Sequence, residues 1–306
     1  MIESILLWIL VILVSPFYAA VIGKVKAFFG GKKGPPLFIH YYTLIKLFQK
    51  GSVYSVSTTF VFRMGPMVSL SAILTALLFM PIAGRMPVLS FNGDVIFILY
   101  LLGLGRFFTI AAAMDTASPF EGMGAAREAF FPIFCEAAMF MILLLFVQLT
   151  GELRLAAYLT DSQPAGLWYA AGAPMLFAVV SLFIILLAEN SRVPVDDPAT
   201  HLELTMIHEV MVLDHSGPDL GLIELGAFIK LFFFSAFAAR LICPVDTGNL
   251  LLNIGLFALA LLGVYGTTGI VESIMARYRM DFVPRFLLVS FSLAFFAFVI
   301  TLELAK

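Results

Sequence analysis

The sequence predicts an all-α polytopic membrane protein, with about eight transmembrane helices and one amphipathic helix lying in the plane of the membrane. Two observations support this fold class. Hydrophobic residues make up 61% of the 306 residues and charged residues 12%, whereas soluble domains carry roughly half and about a quarter, respectively. Several apolar runs also reach the ~20 residues that a helix needs to cross the hydrocarbon core. The composition therefore excludes a soluble enzyme and a nucleic-acid-binding protein, and the lipid bilayer is the first partner that we expect.

We expect the spans to form a single integral membrane domain over residues 1–306. They are the apolar stretches Ser4–Gly23, Pro66–Gly84, Asp94–Met114, Ala129–Thr150, Ala171–Ala188, Gly221–Leu241, Asn249–Ile270 and Pro284–Glu303. Lysine and arginine concentrate in the loops after the first, third, fifth and seventh spans, and such positive charge marks the cytoplasmic side. The sequence thus predicts a multi-pass protein of the cytoplasmic membrane, with both termini outside. The basic cluster follows the apolar N-terminal run, which indicates a retained span and not a cleaved signal peptide.

The basic loop, residues 24–65, is expected to be cytoplasmic and contains the predicted in-plane helix. In the run Leu37–Lys50, polar residues recur at His40, Thr43, Lys46 and Lys50. These spacings of three and four place them on one helical face, opposite an apolar face. The pattern is typical of a helix at the membrane interface. It fits a membrane-hugging connector as well as a helix that contacts a partner or closes a cavity.

The acidic loop, residues 189–220, is the most unusual part of the chain and is also expected to be cytoplasmic. Only one basic residue, Arg192, opposes its seven carboxylates. These are Glu189, Asp196, Asp197, Glu203, Glu209, Asp214 and Asp219. Apolar residues are too frequent here for a solvated linker. We therefore expect this loop to pack against the helix bundle or against another protein.

The spacing of ligand-type residues predicts no metal or cofactor site. The zinc-protease pattern that would begin at His208 lacks its second histidine. His201, Glu203 and His208 match no standard metal site. The two cysteines, Cys135 and Cys243, are fewer than the about four that hold an iron–sulfur cluster.

Four charged residues fall inside predicted spans, namely Arg106, Glu136, Glu224 and Lys230. A charge near the bilayer centre costs ~2.5–3.5 kcal/mol on insertion scales, so such residues are functional candidates. Arg106 and Glu224 lie nearer the span ends, where a structural role is an equal alternative. Glu136 stands alone in an apolar run, so we expect a desolvated carboxylate that favours its protonated form and takes up and releases protons.

The predicted third loop, residues 115–128, contains ordinary turn formers. Asp115 and Ser118 favour turns, and Gly122 and Gly124 are interpreted as loop residues. The spacing of this segment predicts no phosphate-binding motif.

Three further patterns resemble the H-subunit family of respiratory complex I and its relatives in membrane-bound nickel–iron hydrogenases. Residues 189–198 read ENSRVPVDDP and precede Glu203-Leu204, which is similar to the family run E-x-x-R-x-P-F-D-x-P followed by E-L. The run 33–35 (KGP) is similar to the family's basic-Gly-Pro element before the interfacial helix. Residues 115–120 (DTASPF) and 124–128 (GAARE) are similar to the formate hydrogenlyase and hydrogenase-4 branch. The resemblance covers essentially the whole chain.

Three positions differ from the quinone-reducing members of the family and also favour the hydrogenase branch. Val195 stands where those members carry Phe, and Ala199 and His201 stand where they carry carboxylates. These differences argue against a quinone site and fit a complex that reduces protons instead.

The resemblance implies a non-catalytic membrane foot of a redox complex that relays protons. Iron–sulfur and hydrogenase-like catalytic subunits would dock on its cytoplasmic side, and antiporter-like membrane subunits would lie beside it. Iron–sulfur clusters, and a nickel–iron centre, would then belong to those partners, and this chain itself would bind no cofactor.

The resemblance and the charge pattern together assign residues to three roles. The expected proton relay comprises Glu136, Glu189, Asp196, Asp197, Glu203, Glu209 and Asp214. The expected counter-charges are Arg127, Arg192 and Lys230. The expected docking or cavity-gating residues are Lys33, Gly34, Pro35, His40, Lys46, Asp115, His201 and His208.

Two other functions are left open by the sequence. The first is a quinone-binding member of the same family in a complex I-like oxidoreductase, in which the helix of the basic loop would gate a lipid-soluble substrate. The second is a stand-alone secondary transporter, which the lack of an internal repeat disfavours. The acidic loop is also compatible with a docking platform that carries no proton traffic.

Overall fold

A computed structural model describes residues 2–161, 163–197 and 206–304. It confirms the all-α fold class, since the chain is 74% helix and the described residues contain no strand. The described helices are α1 (Ile2–Phe29), α2 (Ile39–Gln49), α3 (Phe60–Leu78), α4 (Asp94–Asp115), α5 (Pro119–Phe130), α6 (Pro132–Thr150), α7 (Leu155–Leu159), α8 (Gln163–Ala170), α9 (Gly172–Glu189), α10 (Pro218–Ile242), α11 (Leu250–Ile274) and α12 (Val283–Leu304). One 3₁₀ turn, Glu209–Val212, lies in the acidic loop.

The eight predicted spans are confirmed, because eight described helical segments are long and apolar enough to cross a membrane. The second span differs most from its predicted bounds. Helix α3 begins at Phe60 and carries Pro66 inside it. Its start is fixed from outside the span, since the Asp115 carboxylate accepts hydrogen bonds from the backbone N–H groups of Thr59 and Phe62 at 2.6 and 3.2 Å.

The fourth span is preceded by a helix where a loop was predicted. Residues 119–130 form α5, and α6 follows after Phe131. Each of these helices has a proline, Pro119 or Pro132, in its first turn, where the missing N–H costs nothing. The interpretation of Gly122 and Gly124 as loop residues was therefore wrong, because both lie inside α5.

Helix α10 is the centre of the bundle and the most buried of the eight spans. It packs against α1, α2, α3, α9 and α11. Small residues bring the surrounding helices close, as is common in membrane proteins. A Cβ atom at Gly65 of α3 would lie 2.8 Å from Ala112 of α4, and one at Gly269 of α11 would lie 2.8 Å from Val25 of α1.

The end of the bundle that carries residues 30–59, 190–197 and 206–217 is called the long-loop side. Helix α2 lies there, within the run predicted to be helical. Its His40 ring lies 4.6 Å from that of Phe228, whereas Phe48 contacts Gly221 near the start of α10. Helix α2 is therefore inclined along α10. Its orientation in a membrane stays a prediction.

The acidic loop packs against α5, as its apolar residues led us to expect. A Cβ atom at Gly124 would overlap a Val210 methyl group and would lie 2.9 Å from the Ile207 carbonyl oxygen. The Arg127 guanidinium donates to the Met206 carbonyl oxygen at 2.7 Å. The glycine thus provides the space in which the 3₁₀ turn contacts the helix.

Replacing Gly124 by alanine is predicted to displace the acidic loop, because overpacking of this kind costs ~1–3 kcal/mol. Gly122 offers a matched control on the same helix, since a Cβ atom there meets nothing within 4 Å. G122A should leave stability unchanged or raise it by up to ~1 kcal/mol, because alanine is the better helix former. Thermal unfolding in detergent and limited proteolysis of the loop measure both variants. Equal behaviour of the two would contradict the packing argument.

Candidate functional site

A cavity of about 300 Å³ opens among α2, α3, α4, α5, α9, α10 and the acidic loop. Its wall is rich in ionisable side chains from all of these elements except α3. The carboxylates on the wall are Glu128, Glu189, Glu209 and Glu224; the cations are Arg106, Arg192 and Lys230; the histidines are His40 and His208. A volume of this size holds about ten water molecules. The cavity therefore carries nine ionisable side chains on a wall that is otherwise largely apolar, and α2 and the acidic loop form part of that wall.

Arg106 is the hub of the ion pairs around this cavity. Its guanidinium lies 2.7 Å from a Glu189 carboxylate oxygen and 3.6 Å from one of Glu128, and it contacts the Glu136 carboxylate directly. Lys230 approaches the other Glu189 oxygen to 2.9 Å. One buried cation thus connects three carboxylates from α5, α6 and α9.

The positions of these residues on their helices explain how the charges meet. Arg106 lies midway along α4, and its side chain is 11% exposed. Helix α9 ends at Glu189, whose side chain is 5% exposed and points between α4 and α10. Each charge alone would be costly inside a membrane, so the pairs compensate the burial.

A second, smaller cavity of about 20 Å³ lies on the other side of Arg106. Cys135, Glu136 and Phe234 line it, and it shares Arg106 and Glu189 with the large cavity. Arg106 and Glu189 are thus common to the walls of both cavities.

The large cavity brings together six of the predicted residues. Glu189 and Glu209 of the expected relay, Arg192 and Lys230 of the counter-charges, and His40 and His208 of the gating group all lie on its wall. Burial lowers the pKa of His40, and the nearby Arg192 charge lowers it further.

Other predicted residues lie elsewhere and have structural contacts. Asp196 is buried; it pairs with Arg277 at 2.8 Å and accepts the backbone N–H groups of Ile207 and His208 at 3.1 Å each. Asp197 follows it and is half-buried, outside the cavity wall. The side chain of Asp214 is exposed.

The docking residues are likewise divided, and Asp115 among them caps the start of α3. Arg127, one of the expected counter-charges, holds the acidic loop. Lys33, Pro35 and Lys46 are exposed on the long-loop side, where a partner could reach them. Gly34 packs closely against α1, since a Cβ atom there would lie 2.8 Å from Ala27. His201 and Glu203 lie outside the described residues.

Glu136 differs from its expected environment. The sequence predicts a desolvated carboxylate, but the Glu136 side chain is 53% exposed on the surface of the bundle and is paired with Arg106. The sequence does not predict this pair, because Arg106 lies on α4 and the spacing of residues along α6 carries no information about contacts with another helix. Its role as a proton carrier stays a prediction.

Several residues of the charged network were missed by sequence reasoning. Glu128 lies in the segment predicted to be a loop, and the position of Arg106 near a span end favours a structural role as much as a functional one. Glu272 belongs to none of the predicted groups, although its fully buried side chain lies 2.9 Å from Lys26 and 3.4 Å from Arg192. Its position near the end of an apolar span was the only available signal.

Within the described ranges, no three His, Cys, Asp or Glu side chains are grouped so as to hold a metal ion. Both cysteines are free thiols.

His215 connects the acidic loop to the basic loop. Its ring stacks on Phe62 at 3.9 Å between centroids and an interplanar angle of 7°. Burial lowers the pKa of His215 to about 4, against the opposing influence of Asp219 and Asp214. The neighbouring Ser216 hydroxyl accepts the Val53 backbone N–H at 3.1 Å.

Comparison with known proteins gives consistent relatives. A sequence model described as NADH dehydrogenase matches residues 2–302. Formate hydrogenlyase subunit 4 of Escherichia coli (strain K12) is 27% identical over 293 residues, which cover 94% of each chain. Hydrogenase-4 component C of the same organism is 25% identical over 297 residues, covering 95% of this chain and 92% of that one. The H subunit of the NADH-quinone oxidoreductase of Rhodospirillum rubrum is 26% identical over 249 residues, covering 79% and 72%.

The fold also has a solved counterpart. A chain in the structure of the membrane-bound sulfane sulfur reductase, an archaeal respiratory membrane complex, superposes with a TM-score of 0.80. The match covers 100% of this chain and 99% of that chain at 20% identity. The two chains therefore share one fold.

Replacing Glu189 by glutamine is predicted to destabilise the bundle. Removal of one partner from a buried ion pair costs ~3–5 kcal/mol, because the remaining charges stay buried. The control is Glu152→Gln, whose pair with Arg154 is 2.5 Å long but roughly half exposed and should contribute less than ~1 kcal/mol. Thermal midpoints in detergent compare the two. A similar shift in both variants would mean that the Arg106 network is not structurally important.

The lowered pKa of His215 predicts that the folded protein loses stability on acidification. Its pKa is about 4 in the folded chain and about 6.5 when unfolded, so below pH ~6.5 the unfolded chain binds the proton more readily. Between pH ~7 and ~5 the wild type should lose ~2 kcal/mol relative to His215→Phe, which keeps the stacked ring but does not titrate. Unfolding midpoints measured across this range check the prediction. It fails if the two proteins respond to pH in parallel.

Proposed function

This chain is a member of the NADH dehydrogenase family, and we propose that it is the membrane-anchor and proton-coupling subunit of a redox complex of the hydrogenase type. In this role it docks an iron–sulfur and catalytic arm and relays protons through its buried carboxylates. Formate hydrogenlyase subunit 4 and hydrogenase-4 component C support this assignment, because both match it over nearly their whole length.

The continuous charged network around the cavity is the observation on which the proposal depends. Glu209 and Glu224 lie on the wall nearest the acidic loop and interact electrostatically. Deeper in the bundle, Glu189 is held between Lys230 and Arg106, and Glu136 lies beyond Arg106. A proton entering from the acidic loop would meet carboxylates in that order.

Arg106 gives this chain of carboxylates a means of control. Because the guanidinium is shared by Glu128, Glu136 and Glu189, protonation of one carboxylate strengthens its interaction with the others. A charge change on a docked redox partner would alter the same balance from the loop side. Coupling then consists of a shift in which carboxylate holds the proton.

The orientation follows from the same proposal. The long-loop side would face the cytoplasm and receive the iron–sulfur and catalytic subunits, with Lys33 and Lys46 exposed toward them. Antiporter-like subunits would lie beside the bundle in the cytoplasmic membrane, and both termini would be outside. The concentration of lysine and arginine on this side supports that orientation.

Quinone binding is the second candidate function. It is favoured by α2, which places His40 on the cavity wall while Phe38, Tyr42 and Ile45 are exposed, and by the likeness to the Rhodospirillum rubrum NADH-quinone oxidoreductase chain. Three cations and four carboxylates on the wall suit water, whereas the apolar remainder of the wall suits a quinone ring. Affinity purification in mild detergent separates the two: nickel with iron supports the hydrogenase type, and iron with bound quinone but no nickel supports the alternative.

The proton-coupling role is tested by Glu224→Gln and Glu136→Gln in the intact complex reconstituted into liposomes. We expect redox turnover to persist while proton translocation per electron falls by at least roughly tenfold, since a group that relays protons has been lost. Glu152→Gln serves as the control. Asp196→Asn should act differently and weaken assembly, because Asp196 holds the acidic loop to Arg277. Unchanged translocation in both glutamate variants would refute the role.

A further inference from the structure

Glu272 lies outside the cavity, yet it contacts one of the residues on the cavity wall. It occupies the last turn of α11 and is fully buried. Helix α11 can approach α1 closely because Gly269 has no side chain to meet Val25. This approach brings the Lys26 ammonium group to 2.9 Å from one Glu272 oxygen.

The other Glu272 oxygen faces the acidic loop, which crosses the end of α11 at this point. The Arg192 guanidinium lies 3.4 Å from that oxygen. Two residues after Arg192, the Pro194 carbonyl oxygen accepts the Tyr278 backbone N–H at 2.9 Å. The loop is thus fastened near the end of α11 immediately beside Arg192.

Arg192 itself lies on the cavity wall together with His40. The other ionisable side chains on this wall are four carboxylates, two cations and one histidine, namely Glu128, Glu189, Glu209, Glu224, Arg106, Lys230 and His208. The carboxylates attract the guanidinium into the cavity, whereas Glu272 attracts it toward α11. The position of Arg192 is therefore set by competition between Glu272 and the cavity carboxylates.

We propose that Glu272 is a positioning residue that holds Arg192 at the cavity wall and offsets its charge, with Lys26 as the second cation of the site. This proposal rests on the proposed function, because it concerns the same cavity. Without the Glu272 charge, the cavity carboxylates draw Arg192 inward, and its positive field at His40 increases.

The titration of His40 in the intact complex measures that field. Diethylpyrocarbonate modifies the unprotonated imidazole, and mass spectrometry resolves each histidine, so labelling from about pH 5 to pH 8 gives a midpoint for His40. In Glu272→Gln we expect this midpoint to fall by roughly half a pH unit. Glu272→Asp should restore it, and Arg192→Gln should raise it above the wild-type value.

A purely structural role of Glu272 predicts a shift of the His40 midpoint in the opposite direction. If Glu272 only fastened the loop, Glu272→Gln would expose His40 to water and raise its midpoint. Arg277→Gln is the matched control, because it loosens the same loop at Asp196 and leaves Glu272 in place. A rise or no change in Glu272→Gln, or an equal shift in both variants, would overturn the proposal. A lowered midpoint with unaltered proton translocation would contradict the proposed function alone.

Discussion

The interior of this protein depends on the ion pairs of the Arg106 guanidinium group. This group is a single cation midway along a membrane-spanning helix, and three carboxylates from three other helices converge on it. Burial of any one of these groups alone would be unfavourable in a membrane. Because Arg106 pairs with Glu128 and Glu189, which are largely buried, and with Glu136 at the bundle surface, the bundle can hold charged side chains around a cavity of about 300 Å³ between helices that are otherwise strongly apolar.

The acidic loop forms part of the cavity wall, and different elements hold its beginning, its middle and its end. Arg127 and Gly124 of α5 hold its middle, while Glu272 and Arg277 hold its beginning. His215 fixes its end against Phe62 of α3. The loop is therefore positioned by the bundle, and a partner that docks on the long-loop side acts on residues that already face the cavity.

The fold was largely predictable from the sequence, and the site only in part. Hydropathy located all eight spans, because a span is a local property of about 20 consecutive residues. Composition also singled out the acidic loop, which supplies Glu209, Arg192 and His208 to the cavity. The pairing of charges was not predictable, since Arg106 and Glu189 lie on different helices and meet only through packing.

One error and one unexpected environment have the same origin. The glycines of α5 predict a loop, but Gly124 lies in a helix, where the acidic loop needs its space. Asp196 belongs to a cluster of carboxylates, and the structure adds contacts with Arg277 and two backbone N–H groups, while its role in the relay stays a prediction. In both cases a tertiary contact determines the environment of the residue, and a single sequence carries no record of that contact.

The most direct test of the central claim replaces the cation common to both cavities without changing the net charge. In the variant Arg106→Lys the positive charge stays in the bundle, but a compact ammonium group replaces the planar guanidinium that Glu128, Glu136 and Glu189 share. Proton uptake is then followed with a pH-sensitive dye in liposomes that contain the whole complex, alongside its redox turnover. We predict continued turnover with proton uptake lost. Undiminished uptake would show that protons do not pass through this network.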